Sequence, residues 1–250
     1  MAPVTPVRAQ APQQAGDRHI DVVGERHQVS GGFGDWTGLA VRLTVPAGAS
    51  DVWFVEALQR KAFTDVGAYV SGALQHRWND RWHSFVSVGA GTGEFILPDL
   101  RVDASLSRKW GARGALVTTL GTTLVDAKLG YRDAGGYGLL TAYLAPAVVA
   151  EAGVRVMRSM PGSVDAARAL GAVTLGRTGK AYVVVRGSSG EEGYQLLGPG
   201  AVERRFTSRE GAVSWRQWLG RAGGFLVQGE RYTNPFYKRT GVSVGIFAHW

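Results

Sequence analysis

Charged residues recur in the middle of otherwise apolar segments of this chain, two or four positions apart. Arg101 and Asp103 form one such pair, and Glu151 and Arg155 form another. Residues two apart in a β-strand share one face. The full set with this placement is Glu56, Arg60, Arg101, Asp103, Glu151, Arg155, Arg186, Arg216 and Glu230. Groups of this kind either line a polar passage or binding surface, or neutralise one another in salt bridges.

Other reactive groups form no recognisable catalytic or metal-binding motif. The chain has no cysteine, which excludes a thiol nucleophile and a thiolate metal site, and its five histidines lack zinc-ligand spacing. No G-x-S-x-G segment is present, and Ser84 beside His83 would point to the opposite face of a strand. We therefore expect no catalytic residue, no metal and no cofactor. A rim enzyme stays open as an alternative, because Asp133 and Glu191 or Glu192 could meet in outer loops.

The elements that position the charged residues are predicted to be β-strands. Apolar and polar residues alternate with period two in many segments, and turn-forming residues separate the segments. The clearest example alternates Leu100, Val102, Ala104 and Leu106 with Arg101, Asp103, Ser105 and Ser107. The pattern predicts about 14 strands, or 12 if uncertain pieces are merged. The longest polar stretch, residues 188–207, is predicted to be a loop that binds a ligand or constricts a lumen.

Strand length and the placement of aromatic residues favour a membrane barrel over a soluble sandwich. Predicted strands of about 10 residues or more match the 9–11 residues that cross a bilayer. Aromatic residues lie at the predicted strand ends, as in an interfacial girdle: Trp36, Trp78, Trp82, Trp110, Tyr131, Tyr137, Tyr232, Phe236, Tyr237 and Trp250. We predict an all-β fold, a single closed antiparallel transmembrane β-barrel over residues 18–250. Residues 1–17 are interpreted as a disordered tail or leader remnant.

The barrel interpretation also requires that the sheet be closed. An open sheet edge in hydrocarbon would leave backbone groups unpaired, so the first strand should pair with the last.

The net charge is +8, but lysine and arginine are scattered singly, which argues against nucleic-acid binding. Arginine outnumbers acid among the nine predicted lumen residues, which favours anionic or sugar-like solutes.

The end of the chain resembles the signal by which outer-membrane barrels are recognised for assembly. Ser243, Gly245, Ala248 and Trp250 supply a polar residue, a glycine, an apolar residue and a terminal aromatic. Further segments resemble the YaiO family of outer-membrane β-barrels, and these are residues 31–36, 97–98, 161–162, 186–190 and 237–241.

The resemblance implies a location in the outer membrane of a Gram-negative bacterium. The implied partners are the lipid bilayer, lipopolysaccharide and the barrel-assembly machinery, the last through the C-terminal strand. Some relatives resemble barrels of exopolysaccharide export systems. The leading prediction is therefore a polar pore for passage or export of a polar or saccharide solute. The alternatives are a structural or surface-binding barrel with a lumen plugged by side chains, and a barrel enzyme with an active site at its rim.

Overall fold

Fourteen β-strands make up a computed structural model whose described residues are 18–111, 114–198 and 201–250. In chain order they are β1 (His19–Val29), β2 (Trp36–Ala47), β3 (Asp51–Ala62), β4 (Asp65–Arg77), β5 (Trp82–Gly91), β6 (Leu100–Trp110), β7 (Leu116–Asp126), β8 (Arg132–Ala145), β9 (Val148–Met160), β10 (Val164–Arg177), β11 (Ala181–Gly198), β12 (Ala201–Trp218), β13 (Gly223–Thr233) and β14 (Lys238–His249). The tail predicted for residues 1–17 lies outside the described residues. In the described part of the chain, no helix is long and apolar enough to span a membrane.

The strands form a closed barrel in which each strand pairs with its sequence neighbours. β1 also pairs with β14 in an antiparallel ladder that runs from His19 opposite His249 to Val29 opposite Arg239. The predicted all-β closed barrel, its strand count of 14 and the pairing of its first and last strands are therefore confirmed.

The predicted polar loop over residues 188–207 is wrong. β11 and β12 continue through the described part of this stretch as paired strands, with Glu191 opposite Thr207 and Leu196 opposite Val202. Backbone pairing with a neighbouring strand stabilises a strand even where the side chains show no apolar alternation. A polar composition therefore indicates that a segment is exposed to water, but it does not indicate that the segment has left the sheet.

The two ends of the barrel differ in the length of their connections. Both His19 and Trp250 lie at one end, which we call the terminal end. The longest connections, residues 30–35 and 92–99, lie at the opposite end, which we call the loop end. Strand direction alternates around the barrel, so the turn after every even-numbered strand returns at the terminal end.

The outward face carries a continuous band of exposed aliphatic side chains. Leu120 is 71% exposed and Ile246 is 66% exposed. The band includes Leu39, Val55, Val70, Val86, Leu106, Leu120, Leu140, Val154, Val173, Val185, Val213, Val244 and Ile246. Such a surface is stable only against lipid, because a soluble barrel would bury its apolar face inward.

The predicted two-ended aromatic girdle is only half correct. All but one of the eight tryptophans lie at the terminal end, where Trp78 and Trp250 are 65% and 61% exposed. Four members of the predicted girdle are instead buried on the inner face, and these are Trp36, Tyr137, Tyr232 and Tyr237. Position at a strand end does not set the direction of a side chain, which depends on the parity of the residue within its strand.

We predict that Leu120→Arg lowers the free energy of unfolding by about 2–4 kcal/mol, because the side chain faces lipid near the middle of β7. Leu116→Arg serves as the matched control on the same face at the start of β7, where the expected loss is about 0–1 kcal/mol. Guanidinium titration of the protein refolded in lipid vesicles measures both. Equal losses for the two variants would contradict the placement of the band.

Candidate functional site

The strand register places all nine predicted charged residues on the inner face of the barrel. They do not form one cluster but lie on six strands, β3, β6, β9, β11, β12 and β13. Only Arg101 and Asp103 pair with each other, through hydrogen bonds of 2.7 and 2.9 Å from the guanidinium to the carboxylate. Glu151 accepts a hydrogen bond from Thr141 Oγ1 at 3.0 Å and has no contact with Arg155.

A buried ionic network crosses the seam between β1 and β14. Arg60 Nε donates to Glu25 Oε1 at 2.8 Å, and Glu25 Oε2 lies 3.6 Å from His27 Nε2. His27 Nδ1 in turn lies 3.3 Å from Glu230 Oε1, which accepts a 3.0 Å hydrogen bond from Arg239 Nη2. The network therefore runs from β3 to β13 along the inside of the wall, with His27 between the carboxylates of Glu25 and Glu230.

Three further ion pairs lie on the inner face. Arg216 Nη2 donates to Asp21 Oδ1 at 2.7 Å, which joins β12 to β1. The other two are Arg42 with Glu56, and Arg168 with Glu192. Among the described residues, these inner-face ion pairs join strands no more than three places apart in the barrel order. The opposite wall of a barrel of fourteen strands is seven places away, so the ion pairs follow the wall.

Arg155 and Arg186 point inward and lack a carboxylate partner within the described part of the chain. The Nε atom of each is buried without a hydrogen-bond acceptor. Arg155 lies directly opposite Arg168 in the register of β9 and β10, and its guanidinium lies 5.7 Å from the Tyr137 ring centroid. The terminal nitrogens of both guanidinium groups are not among these buried atoms and are available to hydrogen-bond water or a solute.

The inner face shows no excess of arginine, which corrects the expectation from the nine predicted residues. The described basic residues at inward positions are Arg42, Arg60, Arg77, Arg101, Lys109, Arg155, Arg168, Arg186, Arg216 and Arg239. The inward acidic residues are Asp21, Glu25, Glu56, Asp65, Asp103, Asp133, Glu151, Glu192, Glu210 and Glu230. A balanced interior does not select strongly by the sign of a solute's charge.

The loop end of the lumen is filled by apolar and aromatic side chains, which we call the mouth cluster. Its buried members are Trp36, Ala62, Phe63, Phe95, Ile96, Leu97, Tyr232 and Tyr237. The centroid of the Phe63 ring lies 4.9 Å from the ring centroid of Trp36, 6.1 Å from that of Phe95 and 5.9 Å from that of Tyr237. The contacts with Trp36 and Tyr237 are edge to face. Burial in this cluster raises the pKa of the Tyr237 hydroxyl. The cluster thus connects β2 and the turns after β3 and β13 with residues that follow β5.

Residues 92–99, which we call the inner loop, supply three members of the mouth cluster. One carboxylate oxygen, Oδ2 of Asp65, accepts the backbone N–H groups of Glu94, Phe95 and Ile96 at 2.9, 2.9 and 3.0 Å. A carboxylate that accepts several backbone N–H groups is a strong local anchor for a loop. Residues 94–96 at the centre of the inner loop are therefore held to β4 by one side chain, whereas Thr92 at its start is bonded to Ala68 of β4 through its backbone N–H and its hydroxyl.

Glycines on the inner face make room for the inner loop. A Cβ atom on Gly67 of β4 would lie 2.9 Å from Leu97 Cδ1, and one on Gly91 of β5 would lie 2.9 Å from the Pro98 carbonyl oxygen. Both distances are shorter than a van der Waals contact, so any larger residue would displace the loop. The sequence thus leaves space in the wall where the loop folds inward.

The mouth cluster rests on the ionic network. The Arg239 guanidinium carbon lies 4.7 Å from the Trp36 ring centroid and 5.1 Å from that of Tyr232. Arg239 is only 2% exposed. The Tyr232 hydroxyl donates to Glu192 Oε1 at 3.0 Å. Rings above and carboxylates beside Arg239 together compensate for the burial of its charge.

Several of these residues were not identified from the sequence, above all Asp65, Arg239 and the inner loop. The period-two alternation does place Glu25 and His27 on the same face of a strand, so this pattern could have identified both residues. Asp65 looked like part of a turn, and its partners lie about thirty residues away. The acid pair proposed for a rim enzyme is not formed, since Asp133 binds Ser159 and Glu192 binds Arg168.

Comparison with known families gives a match to the YaiO membrane beta barrel domain over residues 17–195. No curated protein matches the chain.

Solved structures of outer-membrane barrels share its fold at very low sequence identity. The CymD monoaromatic hydrocarbon channel has a TM-score of 0.62 at 7% identity, covering 93% of this chain and 88% of that one. An outer-membrane channel from Pseudomonas putida F1 has a TM-score of 0.58 at 8% identity, covering 95% of this chain and 97% of that one. A bacterial polysaccharide outer-membrane secretin has a TM-score of 0.57 at 7% identity, covering 95% of this chain and 100% of that one.

We predict that Glu230→Ala lowers the free energy of unfolding by about 3–5 kcal/mol, because it leaves the buried charge of Arg239 without its partner. Asp35→Ala is the control, since it breaks the exposed Arg26–Asp35 pair and should change stability far less. Denaturant titration in vesicles compares the two. A Glu230 variant as stable as the control would show that the network does not hold the barrel together.

Proposed function

The chain belongs to the YaiO family of membrane β-barrels, and on that premise we propose that it is a gated channel for a polar, saccharide-type solute. The barrel lies in the outer membrane of a Gram-negative bacterium. Outer-membrane barrels place short turns in the periplasm and longer loops outside. The loop end is then extracellular, and both described termini are periplasmic.

One observation carries the proposal: the mouth is the part of the lumen that is bridged, and a loop bridges it. The ion pairs follow the wall, whereas the inner loop joins the mouth cluster, in which the Phe95 ring packs on Phe63 and Phe63 packs on Trp36 and Tyr237. Barrels of 8 strands are filled by their own side chains, and barrels of 16–18 strands hold an aqueous channel. A barrel of 14 strands is wide enough for a passage that closes by moving one loop.

The inner face suits a neutral or weakly charged solute rich in hydroxyl groups. Its charges are balanced, and Arg155 and Arg186 offer unpaired donors. Inward hydroxyl groups come from Ser71, Ser87, Ser105, Ser107, Thr119, Thr123, Thr141, Ser188, Ser208, Ser214 and Ser243. Hydroxyls and ions along the path, with aromatic rings at the entrance, match the polar edges and apolar faces of sugar rings.

A scaffold with a plugged lumen is the second candidate. The observation that favours it is the buried network around Glu230 and Arg239, which stabilises the wall and binds no solute as it stands. In that case the mouth cluster would be permanent packing, and the inner loop would not move.

For assembly we propose recognition of β14 by the barrel-assembly machinery. Ala248 and Trp250 face outward, whereas Ser243 and Gly245 face the lumen beside β1. A Cβ atom on Gly245 would lie 2.9 Å from Val23 Cγ2, so glycine allows the seam to close there. The same strand would then carry the recognition signal and complete the closed sheet.

We expect Asp65→Ala to increase the time-averaged current of the refolded protein in planar bilayers at least about ten-fold, because it removes three hydrogen bonds from the inner loop. Each hydrogen bond to a carboxylate contributes about 1.5–3 kcal/mol, and about 1.4 kcal/mol changes an equilibrium ten-fold. Asp80→Ala in the exposed turn after β4 is the control and should leave the current unchanged. A second variant shortens the inner loop directly. If both variants form heat-modifiable barrels but carry no current, the plugged scaffold is the correct function.

The ion selectivity of the opened channel tests whether Arg155 faces the permeation path. In the Asp65→Ala background, Arg155→Glu should raise the cation-to-anion permeability ratio, because it reverses an unpaired inward charge. Arg158→Glu lies on the outer face of the same strand and should leave the ratio unchanged. The reversal potential in a salt gradient gives the ratio. Identical reversal potentials for the two variants would exclude Arg155 from the path.

A further inference from the structure

The outward face at the loop end carries a group of basic residues that the channel does not use. Arg209 on β12, Arg231 on β13 and Lys238 on β14 are all exposed and lie on three adjacent strands. Arg209 lies opposite Thr233, and Thr233 lies opposite Lys238, so the three residues form one row. Arg231 lies one outward position below this row. We call Arg209, Arg231 and Lys238 the basic patch.

No carboxylate partners the basic patch among the described residues. Exposed arginines elsewhere at the loop end form ion pairs, namely Arg26 with Asp35, Arg132 with Asp126, Arg158 with Asp165 and Arg205 with Glu191. Three like charges on neighbouring strands repel one another and destabilise the sheet unless an anion compensates them. An anionic ligand at this position would remove that cost.

The height of the basic patch on the wall identifies the kind of anion. On β12 and β14, the exposed Val213 and Val242 lie four positions nearer the terminal end of the barrel than Arg209 and Lys238. The patch therefore lies directly above the lipid-facing band, at the level of lipid headgroups. Neighbouring strands are about 4.8 Å apart, so the Cα atoms of Arg209 and Lys238 are about 10 Å apart. Long side chains at this separation can contact one phosphate or bridge two.

We propose that the basic patch binds the phosphate groups of a phosphorylated glycolipid in the outer leaflet. Charge complementarity and continuity with the apolar band both support this occupant, because one molecule would place its acyl chains against Val213 and Val242 and its phosphates against the cations. Thr233 and Thr240 add hydroxyl donors between the cations. The inference rests on the orientation of the barrel and is independent of whether the lumen conducts.

The experiment measures binding of bisphosphorylated lipid A to the full chain in nanodiscs at low ionic strength. The triple variant Arg209→Gln, Arg231→Gln, Lys238→Gln should bind about a hundred-fold more weakly, since each basic residue at an anionic surface contributes about a five-fold factor. The triple variant Arg26→Gln, Arg132→Gln, Arg158→Gln removes the same charge from the same rim and should bind like the unaltered protein. Lipid A without its phosphates should bind all three proteins equally weakly.

Several outcomes would overturn the proposal. Equal binding by the two triple variants would show that net charge, and not the basic patch, attracts the lipid. Displacement of lipid A by millimolar inorganic phosphate would identify a site for free phosphate instead. Heat-modifiable migration confirms that each variant is folded. Planar-bilayer currents in the Asp65→Ala background should be the same with and without the patch substitutions, which separates failure of this proposal from failure of the channel.

Discussion

Satisfaction of backbone hydrogen bonds in hydrocarbon is the constraint on which the rest of this structure depends. Every N–H and C=O group at membrane depth needs a partner in the sheet, and only closure between β1 and β14 removes the last unpaired edge. Closure also fixes the register, and the register assigns every strand residue to lipid or lumen. The exposed aliphatic band, the inward ion pairs and the positions of Arg155 and Arg186 are therefore consequences of one pairing pattern.

An enclosed interior must then be packed, and small and large residues on neighbouring strands achieve this. Tyr69 lies over Gly89, Tyr137 over Gly121 and His27 over Gly241, so that a Cβ atom at each glycine would overlap the ring. Glycine thus lets a bulky inward side chain lie flat along the wall instead of projecting across the lumen. The same device at Gly67 and Gly91 accommodates the inner loop. The high glycine content reflects this packing as much as it reflects turns.

The sequence predicted what depends on local periodicity. Alternation such as that around Arg101 and Asp103 is determined within one strand, so the strands, the closed barrel and the inward position of these side chains were accessible. The mouth cluster could not be predicted in this way. The anchor between Asp65 and Phe95 joins residues thirty positions apart and has no local pattern. The aromatic residues show both cases: Trp78 and Trp250 lie at the lipid interface as predicted, whereas Trp36 and Tyr237 point inward. The hairpin at residues 188–207 was missed because pairing with a partner strand, rather than composition, maintains it.

The arrangement of charges bears on whether the lumen is a passage or a filled core. Side chains that plug a barrel must reach across it, but here Arg60, Arg216 and Arg239 find their carboxylates on the same or nearby strands. Ion pairs that follow the wall stabilise it without crossing the lumen. Among the described residues, the mouth cluster is where side chains from the inner loop and from β2, β3 and β13 meet, and the centre of that loop is held by the Asp65 carboxylate. A wall held by ion pairs and a mouth closed by a loop with one central anchor is the arrangement that the proposed gated channel requires.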